Sequence, residues 1–314
     1  MTTAQQADEP DAREAAGSGR VACIGVFDGV HRGHRALIGC ARQRADALGA
    51  PLVAVTFDPH PMSVVRPGSE PPSLAMLPHR VELLLEAGAD EVDVLRFDAG
   101  LAATEPEAFV SDLLVGRLGV IEVVVGEDFR FGHRARGTID TLRAEGASSG
   151  FSVSALPLQG DGAERWSSTM ARSLIADGDV AGAAEVLGRD YRLDGTVVHG
   201  DHRGRELGYP TANLAWSGSP AVPADGVYAG WVTTRDAVLP AAISVGTNPQ
   251  FQGRERRVEA YVLDRDDLDL YGQPISVSFV QRIRGQLTFD DVSGLVTRMG
   301  QDVAMTRDLL ARHA

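Results

Sequence analysis

From residue 21 to about residue 188, short unbroken apolar runs alternate with amphipathic stretches. The runs at 21–27, 52–57, 92–97, 120–125 and 151–156 predict strands buried on both faces of a parallel sheet. Between them, Thr104-Glu105-Pro106-Glu107 has the form of a capping box with proline in the first turn. It predicts a helix carrying Phe109, Leu113 and Leu114. Alternating strands and helices imply right-handed crossovers and a doubly wound, Rossmann-like α/β domain. Ligands collect at the carboxyl ends of the strands in such folds, where Asp28, Asp58 and Gly126 fall.

After Tyr191 the pattern changes. Strand-like segments at 195–199, 226–233, 241–245, 258–263 and 275–281 follow one another without long helical stretches. Tyr228, Gly230 and Val232 alternate with Ala229 and Trp231, and Asp225-Gly226 and Tyr271-Gly272 read as turns. An antiparallel β-barrel is expected here, closed by a helix over about 290–312. Val292, Leu295, Val296, Met299 and Val303 would form that helix's apolar stripe. The division expected is a disordered polar tail at 1–20, an α/β domain at 21–188 and a β domain at 189–314.

Composition narrows the function classes. A chain of 314 residues with 44% hydrophobic and 23% charged residues is ordinary for a soluble globular protein of two domains. Its net charge of −13 argues against a general nucleic-acid or acidic-membrane surface, though small anionic substrates need only local donors. Cys23 and Cys40 match neither a disulfide framework nor a metal site, and read as small buried hydrophobes in a reducing compartment. No apolar run approaches the ~20 residues of a membrane helix, and the first 20 residues lack the apolar core of a signal peptide. A cytoplasmic location is expected.

Two motifs carry candidate chemistry. His31 and His34, with Gly29 and Gly33, occupy a strand-to-helix turn in Phe27-Asp28-Gly29-Val30-His31-Arg32-Gly33-His34. Two imidazoles and the amides of a helix N-terminus suit an α-phosphate in an in-line displacement. A core or capping pair of histidines is the bland alternative. Asp128 and Arg130 could bind a ribose or phosphate, or form a solvated loop pair. Ser168, Thr169 and Arg172 could cap a helix or cradle a triphosphate. In the second motif, Gly208-Tyr209-Pro210-Thr211-Ala212-Asn213, Thr211 and Asn213 offer hard oxygen ligands to Mg²⁺, or form an ordinary turn entering a strand. Gly200 and Gly204 make a donor-rich loop beside it. Glu259 stands in an apolar strand and should be either ion-paired, with Arg256 or Arg257, or catalytic.

The string Ile24-Gly25-Val26-Phe27-Asp28-Gly29-Val30-His31-Arg32-Gly33-His34 resembles the nucleotidylyltransferase signature of bacterial FAD synthetases. Residues 56–61, 125–132 and 167–172 are similar to that family too, except that Met170 and Ala171 replace an arginine and a branched apolar residue. Residues 193–214, 244–249 and 258–264 resemble the riboflavin kinase module fused behind the adenylyltransferase in the bifunctional riboflavin kinase/FMN adenylyltransferase family.

The resemblance implies ATP, riboflavin and FMN as substrates and Mg²⁺ as the metal. It implies Glu259 as the base for the riboflavin 5′-hydroxyl, with the metal on Thr211 and Asn213. His31 and His34 would steady the α-phosphate. Gly25, Phe27, Asp28, Gly33, Gly126, Asp128, Arg130, Ser168, Thr169 and Arg172 would line the adenylyltransferase site. Gly200, Gly204, Gly208, Asn248 and Arg284 would line the kinase site. Two alternatives stay open: a kinase whose first domain is inactive, and a non-catalytic flavin-binding sensor.

Overall fold

The structure, a computed structural model, describes residues 19–157, 160–161, 164–200, 207–247, 256–289 and 291–313. By residue contact the chain forms two units. One gathers residues 19–26, 34–70 and 81–157. The other gathers 27–33, 71–80 and the described part of 160–313, so the stretch just before residue 189 groups with the barrel.

The first unit is built on β1 (Arg20–Ile24), β2 (Leu52–Asp58), β3 (Glu91–Arg96), β4 (Val120–Gly126) and β5 (Ser152–Leu156). They form one parallel sheet in the order β3-β2-β1-β4-β5. The strand order reverses between β1 and β4, the kind of switch point at which such sheets bind ligands. The central strands β1, β2 and β4 are buried along most of their length, as unbroken apolar runs require. Edge strands β3 and β5 are half-exposed. Strand β1 ends three residues earlier than expected, because Phe27 adopts a left-handed backbone (φ 51) that leaves the ladder. Inside this sheet Glu122 is fully buried, accepting Arg44 Nε at 2.8 Å and Ser154 Oγ at 2.7 Å. Cys23 is buried in β1, whereas Cys40 is only half-buried.

The helices along this stretch are α1 (Arg32–Leu48), α2 (Pro61–Val65), α3 (Leu77–Glu86), α4 (Ala99–Ala103), α5 (Pro106–Ala108) and α6 (Ile139–Ser149). The capping box expected at Thr104 does not form. Thr104 is instead the C-cap of α4, its Oγ1 donating to Gly100 O at 3.1 Å, and Glu105 caps α5 through its backbone alone. From Phe109 to Arg117 the helix widens into a π-helix, closed by Leu118 N donating to Leu113 O at 2.9 Å. Bonding from i to i+5 brings residues five apart onto one face. Phe109 and Leu114 are accordingly both buried, and Leu113 only partly.

The second unit carries a short hairpin, β6 (Gly160–Asp161) and β7 (Glu164–Arg165), then α7 (Ser168–Asp177) and α8 (Val180–Leu187). Strands β8 (Tyr191–Val198), β9 (Ala212–Ala215), β10 (Gly226–Thr233), β11 (Val238–Thr247), β12 (Arg256–Val262) and β13 (Pro274–Arg284) close into an antiparallel barrel. Its order is β10-β11-β12-β9-β8-β13. Tyr191, Tyr228, Val258, Ala260 and Phe279 fill the core, which continues through Ala171 and Ile175 of α7 and Val180 and Leu187 of α8.

The C-terminal helix (Val292–His313) seats on the outer face of β10 and β13, over Ala229 and Val280. Its expected apolar stripe is not the buried line. Val292 is exposed and Leu295, Val296, Met299 and Val303 are half-buried, while Asp302, Thr306 and Leu310 are buried. A polar residue can take the central place because Arg284 of β13 forks onto Asp302, with Nε–Oδ2 3.0 Å and Nη2–Oδ2 2.6 Å. The expected classes, a Rossmann-like parallel sheet and an antiparallel barrel with a terminal helix, are both present. Among the described residues no helix is long and apolar enough to cross a membrane.

Candidate functional site

Past β1 the chain still follows its neighbours for two residues: Gly25 N donates to Val55 O at 3.1 Å, and Val26 O accepts Thr56 Oγ1 at 2.9 Å. It then turns through Phe27 (φ 51), Gly29 (φ 77) and Val30 (φ 38). Phe27 and Val30 have no exposed surface. Left-handed backbone at a bulky or β-branched residue costs about 1–3 kcal/mol, so such a turn persists only where its surroundings over-determine it.

Those surroundings are visible. The buried Asp28 carboxylate accepts Leu74 N at 2.9 Å, Ala75 N at 3.1 Å and Arg172 Nη2 at 2.6 Å. Arg172 also donates through Nε to Pro72 O at 2.8 Å. Ser168 Oγ donates to Asp28 O at 2.8 Å, while Ser167 is the N-cap of α7, accepting Met170 N at 3.1 Å. Ser168 and Arg172, expected to hold phosphates, are thus brought to the loop and bonded to it. Thr169 is exposed. Met170 packs against the barrel core and Ala171 is fully buried in it, so both positions face apolar neighbours.

His31 follows this turn and is buried. Burial pushes its imidazole down to about 4, with Arg189 and Arg172 acting the same way and Asp28 opposing them. It is therefore neutral at pH 7, a hydrogen-bonding group rather than a fixed cation. The loop's glycines are demanded first by its own packing. A Cβ on Gly29 would lie 2.8 Å from Leu74 Cβ, and one on Gly33 would lie 3.0 Å from His31 Cε1. His34 is half-buried in the first turn of α1. Sequence reasoning missed Arg189, which donates through Nη2 to Gly29 O at 2.7 Å. No motif marks it.

The remaining residues of this set lie at the end of β4 and on the turn after it. Gly126 ends β4 opposite Leu156. Asp128 and Arg130 are exposed on the turn that follows, Arg130 Nη1 donating to Phe129 O at 2.9 Å. Phe129 stacks on Phe131 with centroids 5.6 Å apart.

On the barrel, the second motif comes together. Asn213 of β9 pairs across the ladder with Glu259 of β12, and Thr211 Oγ1 donates to Glu259 Oε2 at 3.4 Å. Val258, Ala260 and Val262 point into the core, which leaves Glu259 half-buried on the opposite face rather than sealed in an apolar strand. Arg256, one of its two expected ion-pair partners, is engaged elsewhere. It donates to Val222 O at 2.9 Å and lies 3.4 Å from Asp225. Gly200 is packed on the Asn213 side chain so closely that a Cβ would fall 2.3 Å from Nδ2. Gly208 turns with φ 83. Gly200, Gly208, Thr211, Asn213, Arg265 and Tyr271 line a cleft of about 700 Å³, ample for a nucleotide or flavin. Arg284 is bonded to Asp302 as described, and Gly204 and Asn248 lie outside the described residues.

A model of the FAD synthetase family matches residues 13–170, and a model of the riboflavin kinase family matches residues 187–310. The bifunctional riboflavin kinase/FMN adenylyltransferase of Escherichia coli (strain K12) is 36% identical over 296 residues, covering 94% of each chain. The protein of that description from Pseudomonas fluorescens is 37% identical over 297 residues, again covering 94% of each. A crystal structure described as a macrolide-efflux protein from Streptococcus pneumoniae matches with a TM-score of 0.83 at 32% identity. It covers 93% of this chain and 94% of that one. The chain belongs to the bifunctional riboflavin kinase/FMN adenylyltransferase family.

Proposed function

We propose that this chain phosphorylates riboflavin with ATP to give FMN, and then joins FMN to the AMP part of ATP to give FAD and pyrophosphate. Residues 189–314 would carry the kinase and residues 21–188 most of the adenylyltransferase, at work in the cytoplasm. The observation that carries the reading is the meeting of Glu259 with Thr211 and Asn213, the last two of which line the cleft.

In the kinase step, Glu259 takes the proton of the riboflavin 5′-hydroxyl as the hydroxyl oxygen attacks the γ-phosphorus of ATP, the bond from that phosphorus to the β,γ-bridging oxygen breaks and ADP leaves. Glu259 is half-buried and meets the cleft through its neighbours Thr211 and Asn213, which line it. The Thr211 hydroxyl and Asn213 carboxamide suit Mg²⁺, which takes hard oxygen donors and keeps waters or phosphates in its other positions. The fit to Gly200 holds the carboxamide in place. Bound there, Mg²⁺ would neutralise phosphate charge.

In the adenylyl transfer, an FMN phosphate oxygen attacks the α-phosphorus of ATP and the bond to pyrophosphate breaks. No protein nucleophile is needed. Neutral His31 donates a hydrogen bond to the charge growing on the α-phosphate, and His34 acts beside it. Asp28, Ser168 and Arg172 hold the loop that presents His31; Thr169, exposed in the first turn of α7, is left to meet the outgoing phosphates. The apolar surroundings of Met170 count against the second reading, a chain whose adenylyl transfer is weak and whose main product is FMN, because residue 170 packs on the apolar core.

Glu259→Gln tests the kinase assignment. Riboflavin phosphorylation should fall by ~10²- to 10⁴-fold while supplied FMN is still converted to FAD. Parental FMN formation by the variant would refute the role of Glu259.

A further inference from the structure

We infer that Arg189 is a positioning residue for adenylyl transfer, holding the backbone that presents His31. This rests on the reading that the chain adenylylates FMN.

Three consecutive carbonyls precede His31, and each accepts a hydrogen bond from a side chain far along the sequence. Asp28 O takes Ser168 Oγ at 2.8 Å, Gly29 O takes Arg189 Nη2 at 2.7 Å, and Val30 O takes Arg189 Nη1 at 3.4 Å. Arg189 supplies two of the three. It does so around Val30, a β-branched residue held at a strained φ of 38°. Relaxation of Val30 toward an ordinary φ would swing the next residue, His31. The other support of the loop, the Asp28 carboxylate with Leu74 N, Ala75 N and Arg172, grips the start of the turn and not its end.

Arg189 is itself well anchored. It follows Gly188, the left-handed C-cap of α8, whose N–H donates to Ala184 O at 2.7 Å. Two residues later the buried Tyr191 opens β8, its hydroxyl bonded to Ala221 O. A third bond, Nη1 to Leu187 O at 3.3 Å, fixes the guanidinium to its own helix end. One planar fork can serve several carbonyls at once, which a lysine ammonium does less well. Arg189 lies within the segment that matches the riboflavin kinase family, yet the loop it holds lies within the segment that matches FAD synthetase. In this account, the adenylyltransferase takes a structural residue from its neighbour's sequence.

Arg189→Ala and Arg189→Lys would be assayed in the full chain for FMN adenylylation and for riboflavin phosphorylation, with ATP and Mg²⁺. Misplacing a reacting or stabilising group by about 1 Å can cost ~10²-fold in rate. The expected result is a kcat for FAD formation about 10- to 100-fold lower in Arg189→Ala. Its KM values for ATP and FMN should stay near parental, the lysine variant should fall between, and FMN formation should be parental. A parental kcat for FAD in Arg189→Ala overturns the inference, and so does a rise in KM alone. If the alanine variant loses both activities through misfolding, the lysine variant decides: a selective kcat loss supports the inference, and equal losses overturn it. Absence of FAD from the parent removes the adenylyltransferase reading and this inference with it.

Discussion

Asp28 looks, from sequence, like a ligand-binding carboxylate at the end of a strand; in the fold it is the knot of a loop, tied to two amides and to Arg172. The motif names the residues that matter around His31 without saying what each one bonds. Histidine spacing and the helix N-terminus are legible because they are local. The pairing of Asp28 with Arg172, 144 positions away, and the reach of Arg189 to Gly29 are long-range contacts that no periodicity encodes. For His31 the expected outcome of replacement by alanine is a ~10²- to 10³-fold loss in FAD formation with FMN formation unchanged, read by assaying each step separately. Parallel loss of both activities together with unfolding, seen by circular dichroism, would make it a core histidine.

The same burial has a consequence for stability. Burial pushes the His31 imidazole down to about 4, and it also lowers that of His79, buried in α3, from an ordinary value of 6.5. As pH falls below about 6.5, the unfolded chain therefore takes up these two protons before the folded chain does. Stability should decline from there toward about pH 4 and the histidine contribution should then level off. Urea unfolding at several pH values checks this, and His79→Gln should flatten the slope. At residue 170 the contacts are apolar, so Met170→Arg should lower Tm by a few degrees, as a ~1 kcal/mol loss does. It should not improve the ATP constant for FAD formation, which an ATP titration at fixed FMN would measure.

Among the elements, the central strands of the sheet are legible because burial on both faces leaves an unbroken apolar run. The barrel strands are legible from their turns and alternation, with β9 the exception. It is only four residues long, and in sequence it reads as the tail of the Pro-Thr-Ala-Asn turn. The π-helical stretch from Phe109 escapes a reading in steps of three and four, since its buried residues recur at five. The C-terminal helix misleads differently. Its apolar residues are plentiful, but the line that meets the barrel runs through Asp302, which a hydropathy pattern rejects and Arg284 makes possible. Removing one member of a buried pair strands the other charge and costs about 3–5 kcal/mol. Asp302→Ala should therefore lower stability by roughly that amount in urea unfolding, whereas a loss within error would show that the pair is dispensable.

Across the whole molecule, two motifs assign two chemistries, and membership of the bifunctional family agrees with both. On the proposed reading, the carboxylate, hydroxyl and carboxamide that meet on the barrel serve the phosphoryl transfer. On the same reading, the loop at residues 27–33, with its buried histidine on a strained, heavily braced turn, stabilises charge without a nucleophile. Contacts group that loop with the barrel, so on the proposed reading the second chemistry draws on residues from both halves of the sequence. The most direct test of this account is to incubate the purified protein with riboflavin, ATP and Mg²⁺ and separate the flavins over time. The account predicts that FMN appears first and FAD follows. Riboflavin left unchanged, or FMN that accumulates without any FAD, would contradict it.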